Sequence, residues 1–375
     1  MDKNRKIQLG LTAGFAALLA GPGLLWLGVN PFCDTTNYEN RTLTSFPTAQ
    51  TSIEQWPGQF EDWLEDHAPF RNGFLTLKAG ADRLVGSLDS SNVLLGKEGW
   101  LFLQDVSDSK SLSDYQGLTS YSQEEMAALA GTLEKLNQVL AQKGSRLALI
   151  FAPAKEGVYS QYMPDSIPVV SRPTRVQALV EYLNQNTQVP VLFPLEELNT
   201  AGAQTQVYYK YDTHWNDVGA WLAAQQLLEV LNLPFERTLP TVKANPDKTA
   251  PTDLANMCGS WAFCTDDLYY EVDAPAAQCA EGTPDTELTR YQGDGAEDLL
   301  LVRDSFGAAL GSRLAQGFDE TVVIHGNLLS EENLARYQAT IPQVVVVEVG
   351  ERFSDNLAGR LDTLLAWAEQ ASPSA

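Results

Sequence analysis

The chain has 375 residues, 44% of them hydrophobic and 19% charged, the balance expected of a folded protein with a substantial core. Its 25 lysines and arginines stand against 48 aspartates and glutamates, a net charge of −23. So large an acidic excess repels phosphate backbones and argues against nucleic acid as a partner.

In chain order, Lys3, Arg5 and Lys6 precede an apolar run from Ile7 to Val29, about 23 residues and long enough to cross a bilayer. The positive flank predicts an N-terminus held in the cytoplasm, with the remainder exported. Residues 1–30 are therefore read as an uncleaved membrane anchor. A cleaved signal peptide is the rival reading, but a cut after Ala20 would leave Leu18 where small residues are preferred. Pro31 and Phe32 stand before Cys33 where a lipid-anchored protein would have small residues. Residues 31–95 follow as a spacer and a helical region packing on the main domain. Ile53, Trp56, Phe60 and Trp63 recur at helical spacing up to Glu65, and Phe70 to Leu84 repeats the habit.

The main domain, residues 96–375, begins with Gly96 to Leu103, which reads as a turn entering a strand. Ser122 and Glu125 form a capping box, and Met126, Leu129, Leu133, Leu136 and Leu140 continue a helix as far as Lys143-Gly144. Apolar runs at Leu147–Phe151, Val189–Phe193, Leu299–Val302, Thr321–Ile324 and Val344–Val349 alternate with helical patterns such as 174–186 and 217–231. Such runs, without polar alternation, predict strands buried on both faces, hence an α/β sandwich around a parallel sheet. Its reactive loops would lie at the carboxyl ends of the strands. Residues 239–297, rich in Pro, Asp, Thr and Gly, read as a long excursion from that sheet. The excursion carries Cys258, Cys264 and Cys279, which with Cys33 complete the four cysteines. In an oxidising compartment a bridge within the cluster is expected as readily as buried thiols, while no CxxC pair or nearby histidine supports zinc.

Two short motifs carry chemistry. Asp212-Thr213-His214-Trp215 sets an acid two residues from an imidazole; the acid can fix the ring tautomer and leave the other nitrogen facing a hydroxyl. Histidines occur only at 67, 214 and 325, and positions 67 and 325 read as structural, so His214 is the candidate base. Asp304-Ser305-Phe306-Gly307 follows the run ending near Val302 and puts Ser305 on a strand-to-helix turn. There the amides of Ser305 and Phe306 would face a developing oxyanion, and small residues from Gly307 onward permit close approach. Taken singly, each motif has a plainer reading, as a satisfied core histidine and as a helix cap. A metal at Asp212 and His214 would need a further ligand from His325 or the acids. Lys155 reads either as a substrate contact or as a surface lysine. Tyr159 and Trp215 read as sugar-stacking or core aromatics. Glu348, Glu351 and Arg352 either line the site or form a structural ion pair.

Together these motifs resemble the SGNH-hydrolase-like domain of the alginate O-acetyltransferases (AlgX/AlgJ type) and their Gram-positive DHHW relatives. Glu39-Asn40-Arg41-Thr42-Leu43 with Phe46-Pro47, Asp66 to Arg71, and Gly96 to Leu103 match in order, from about residue 38. Pro153-Ala154-Lys155 with Tyr159 and Pro164, and Asp253-Leu254-Ala255, continue the match, which runs to about residue 353. The resemblance implies a three-layer sandwich in which the catalytic order is permuted, acid and base before nucleophile: Asp212, His214, then Ser305. It implies an extracytoplasmic O-acetyltransferase or acetylesterase acting on a cell-surface or secreted polysaccharide through an acetyl-serine, with no metal or cofactor. The acetyl donor would be supplied by a membrane-bound O-acyltransferase. The alternative is a non-catalytic glycan-binding or scaffolding protein of a cell-envelope complex. Arg303 departs from the Gly-Asp-Ser pattern of secreted esterases, and the cysteine-bearing excursion has no place in the family pattern.

Overall fold

The structure, a computed structural model, describes residues 12, 14–15, 28–38, 42–88, 90–107 and 109–373. The expected anchor at residues 1–30 lies almost wholly outside the described residues, and among those described no helix is long and apolar enough to cross a membrane. The chain divides into two units: residues 1–90 with 255–265, and residues 91–254 with 266–375.

In the first unit, α1 (Trp56–His67) carries Trp56, Phe60, Trp63 and His67 on one face. Helical spacing brings their rings into one stack, with successive centroids 5.2, 5.9 and 5.1 Å apart. Phe46 closes edge-on over Trp63 at 4.9 Å, and Asp66 Oδ2 accepts the Thr44 amide at 2.7 Å. The next helix, α2 (Arg71–Leu84), receives part of the expected excursion. Phe263 meets Gly80, and Arg83 donates to Phe263 O at 3.0 Å and to Cys264 Sγ at 3.2 Å. Trp261 stacks on Tyr38 at 4.5 Å. Gly259, at φ +71°, lies so close to Leu75 that a side chain would collide. Cys33, Cys258 and Cys279 are free thiols.

The second unit opens on a hairpin, Val93–Leu95 against Leu101–Leu103, so its boundary precedes residue 91 instead of following residue 95. Its main sheet has seven strands: β1 (Arg146–Ala152), β2 (Val191–Leu192), β3 (Gln278–Glu281), β4 (Leu288–Gln292), β5 (Leu299–Arg303), β6 (Glu320–His325) and β7 (Val344–Gly350). The spatial order is β2-β1-β7-β5-β6-β4-β3. The first five are mutually parallel, in keeping with their apolar runs. β4 and β3 extend the β6 edge in antiparallel sense, which corrects the wholly parallel expectation and returns part of the excursion to the sheet. In β4, Thr289 and Tyr291 are buried while Leu288, Arg290 and Gln292 are more accessible, the alternation of a strand with one wet face.

Helices α3 (Gln123–Gln142), α4 (Arg175–Asn186), α5 (Asp217–Val230), α6 (Gly307–Ala315) and α7 (Leu357–Gln370) cover the two faces. Ile150, Leu299, Leu301, Val344 and Val346 share a core with α5 and α6. Their neighbours Leu149, Leu300, Val302, Val345 and Val347 share another with α3, α4 and α7. Alternate residues of each strand thus serve opposite layers. Both α3 and α4 begin with complete capping boxes, Ser122 with Glu125 and Thr174 with Gln177. Register pairs Val347 with Val302 and Gly350 with Ala152, so the loops after β1, β5 and β7 emerge side by side at the carboxyl edge.

Packing and capping should be separable by urea unfolding. Leu133, wholly buried on the inner face of α3, should cost about 2–5 kcal/mol as Leu133→Ala, whereas Ser122→Ala should cost about 1 kcal/mol. Equal losses would contradict the assignment of the α3 face to the core.

Candidate active site

Residues 207–216 form a tight loop leading into α5. Tyr208 and Trp215 pair as an isolated antiparallel bridge, and the Tyr209 amide donates to His214 O at 3.2 Å. Asn216 caps α5, its Oδ1 accepting the Val218 and Gly219 amides at 3.0 and 3.2 Å. At the tip, Asp212 Oδ1 accepts the His214 amide at 3.0 Å and lies 2.7 Å from His214 Nδ1, while its Oδ2 accepts the Asp253 amide at 2.9 Å. Burial alone would raise the Asp212 pKa, but the adjacent imidazole and these donors outweigh it and hold the carboxyl below the ordinary range. With Asp212 ionised, Nδ1 carries the ring proton and Nε2 is an acceptor, 2.8 Å from Ser305 Oγ.

A buried cation supports this loop. Lys155 Nζ donates to the carbonyls of Tyr209 and Lys210, each at 3.2 Å, and of Asp212 at 2.6 Å. The rings of Trp100 and Phe102 lie 5.8 and 5.4 Å from it. Burial brings the ammonium's pKa down to about 8. Lys155 is therefore neither a surface lysine nor a substrate contact, because irregular backbone inside a protein must find donors for its carbonyls.

Ser305 stands half-buried on the turn from β5 to α6. Asp304 organises that turn: Oδ1 accepts the Phe306 amide at 3.0 Å and Oδ2 the Gly350 amide at 2.6 Å, tying the turn to the end of β7. The Asp304 amide donates to Glu348 Oε2 at 2.9 Å. Glu348 is wholly buried, and burial together with the charge of Asp304 pushes its pKa well above the usual carboxyl range. The Phe306 amide, expected at an oxyanion, is thus already engaged. Gly307 opens α6 where a side chain would collide with Arg303.

Other candidates move to supporting positions. Phe306 packs 4.8 Å from the His214 ring and 5.4 Å from Trp215, whose Nε1 donates to Phe306 O at 2.9 Å. Trp215 is 1% exposed, so it backs the site and cannot serve as a sugar platform. Tyr159 is core: its hydroxyl accepts the Val207 amide at 2.9 Å and its ring lies 4.4 Å from Trp100. Arg352 lies behind Phe306, 5.5 Å from that ring, in a narrow slot shared with Thr213 and Glu351. Glu351 is buried and accepts the Ala154 amide at 2.8 Å.

One acid escaped the sequence reading as chemistry. Asp253 accepts the Thr213 amide at 2.8 Å and its hydroxyl at 2.6 Å, and lies 3.8 Å from His214 Nδ1. Burial, and then the charge of Asp212, raises its pKa to about 6. Its only signal in sequence is the Asp253-Leu254-Ala255 motif, which says nothing of contact. Asp212, His214 and Asp253 could geometrically surround a cation. Their atoms are already engaged with one another, with Thr213 and with Ser305, which fits a carboxylate–imidazole array better than a metal cage.

Asp212, His214 and Ser305 open onto a cleft of about 860 Å³, walled by Tyr209, Tyr269 and Phe306 among others. Arg303, the departure from the esterase pattern, lines it too. Its guanidinium donates to Asp304 O at 3.0 Å and to the Pro284 and Thr286 carbonyls at 2.8 and 2.7 Å.

Residues 93–306, more than half of the chain, match the family described as "SGNH hydrolase-like domain, acetyltransferase AlgX". The chain belongs to this family. Its relatives include the probable alginate O-acetylase AlgJ of Pseudomonas syringae pv. tomato, 28% identical over 194 residues, which are 50% of this chain and 46% of that protein. Against this relative the chain spans about half of the other's length. The AlgJ of Pseudomonas aeruginosa is 26% identical over 329 residues, 78% of each chain. Among solved structures, a DHHW family protein from Eubacterium siraeum is 13% identical with a TM-score of 0.47, covering 76% of this chain and all of that one.

Two stability measurements test the supports. Lys155→Met should lower unfolding free energy by roughly 3 kcal/mol, since it leaves three carbonyls without their donor; a loss under about 1 kcal/mol would deny Lys155 that role. For Glu351, burial raises the folded pKa from 4.5 to about 7. The folded state therefore holds the proton more tightly, and the associated stability is full below pH 4.5 and lost as pH rises through about 7. Glu351→Gln keeps an acceptor for Ala154, so its stability relative to wild type should climb across this window, by about 3 kcal/mol. A pH-independent difference would contradict the shift.

Proposed function

We propose that this chain is an extracytoplasmic O-acetyltransferase that carries an acetyl group on Ser305 and passes it to a hydroxyl of a polysaccharide, with water as the competing acceptor. The observation that carries the reading is the in-line set Asp212–His214–Ser305, with contacts of 2.7 and 2.8 Å at the wall of an open cleft. The names of the relatives, O-acetylases, support the acyl group.

In this reading Ser305 Oγ bonds to the acetyl carbon while its proton passes to His214 Nε2. The imidazolium then gives that proton to the leaving oxygen of the donor. In the second half-reaction the acceptor hydroxyl loses its proton to Nε2, its oxygen takes the acetyl carbon, and Ser305 recovers a proton. The ionised Asp212 stabilises the imidazolium in both halves. Ser305 stands two residues before the start of α6, with Phe306 between them, so the positive end of that helix lies near a developing oxyanion.

The finer expectations belong to the same proposal. Lys3, Arg5, Lys6 and the apolar run to Val29 support an N-terminal anchor with the remainder outside the cytoplasm. The order of acid, base and nucleophile supports the permuted SGNH arrangement. A membrane-bound acyltransferase would supply the acetyl donor.

Hydrolysis of a chromogenic acetyl ester by the full chain tests the chemistry. Ser305→Ala and His214→Ala should each lower kcat/KM by about a thousandfold or more, and Asp212→Asn by roughly a hundredfold or more through loss of the correct tautomer. Undiminished turnover by Ser305→Ala would remove the mechanism.

A further inference from the structure

The cleft around Ser305 has two exposed carboxylates on its rim. The turn between β3 and β4 forms one of its rims, and Arg303 brackets Asp285 there by donating to the carbonyls on either side, Pro284 O and Thr286 O. The arginine directly before the Asp304-Ser305 pair thus fixes the rim to the nucleophile turn. Asp285 and Glu287 both line the cleft and both are exposed. Among the described residues neither side chain has an ion pair or a hydrogen bond.

The cations lining the same cleft are already engaged. Lys248 pairs with Glu271 at 2.6 Å. Arg313 Nε donates to Asp217 at 2.7 Å, and its other nitrogens donate to the Ala274 and Val272 carbonyls at 2.7 and 3.0 Å. Arg303 donates to three carbonyls, and its charge lies within reach of Asp304 and Asp285. His325 Nδ1 accepts the Asn327 amide at 3.1 Å, and burial, then Arg303, lowers its pKa, which keeps the ring neutral near pH 7. A polyuronate would bring a row of carboxylates against Asp285 and Glu287, on a chain of net charge −23.

We propose that the acceptor is a glycan bearing ammonium groups, selected at the cleft rim by Asp285 and Glu287. This rests on the acyl-transfer reading for its chemistry, but the charge selection is a property of binding and can be measured without turnover.

The full chain carrying Ser305→Ala would be titrated with length-matched oligomers of glucosamine, N-acetylglucosamine and mannuronate, at low and high salt. The glucosamine oligomer should bind most tightly and the mannuronate oligomer least, with the spread narrowing at high salt. Adding Asp285→Asn and Glu287→Gln should weaken glucosamine binding roughly three- to tenfold while leaving the neutral oligomer unchanged. Mannuronate binding as tight as glucosamine binding, or a cationic preference that survives the double substitution, would overturn the proposal. Failure of the acyl-transfer reading would appear separately, as ester turnover in the wild-type chain that does not need Ser305.

Discussion

Irregular backbone at the carboxyl edge of a buried sheet must have its amides and carbonyls satisfied without help from a ladder, and the site depends on how this chain meets that demand. Three buried charged side chains do it. Lys155 gathers the carbonyls of the histidine loop, Asp212 takes the amides of His214 and Asp253, and Asp304 takes those of Phe306 and Gly350. The 2.8 Å contact between His214 and Ser305 spans ninety-one residues of sequence, and it can exist only because both loops are held in this way. Burying such groups is costly unless each is fully hydrogen-bonded. Burial and the charge of Asp304 push the Glu348 pKa well above the usual carboxyl range, and its Oε2 accepts the Asp304 amide.

The layered fold was largely legible because it depends on periodicity. The four successive valines Val344–Val347 mark a strand with two buried faces, and the box at Ser122 and Glu125 marks the start of α3 to the residue. The edge strands β3 and β4 were not legible. Their polar, half-exposed residues look like loop until a neighbouring strand is there to pair with them. The three candidate catalytic residues were readable as types in order, since an acid, an imidazole and a hydroxyl are scarce in that pattern. Their supports were not. A lysine after a strand resembles a surface residue, and its burial follows from carbonyls more than fifty positions away. Phe306, Tyr159 and Trp215 carried the right chemistry for a site, yet their packing turns them into its walls.

Arg303 shows how a departure from a family pattern can be absorbed. Glycine in its place would remove two of the bonds that hold the turn between β3 and β4; the arginine joins that turn to the strand before Ser305 and lays its stem against Gly307. Arg303 therefore bears on both the shape of the Ser305 turn and the charge presented at the cleft mouth. Acidity that seemed a bulk property of the sequence becomes local there, in Asp285 and Glu287.

The central claim is that Ser305 takes the acyl group. Rapid quenching of the full chain with excess acetyl ester, followed by proteolysis and peptide mass measurement, tests it most directly. The account predicts an acetyl-sized mass increase on Ser305 that is absent from His214→Ala protein. Acetyl on another residue, or Ser305 left unmodified while the ester is consumed, would contradict it.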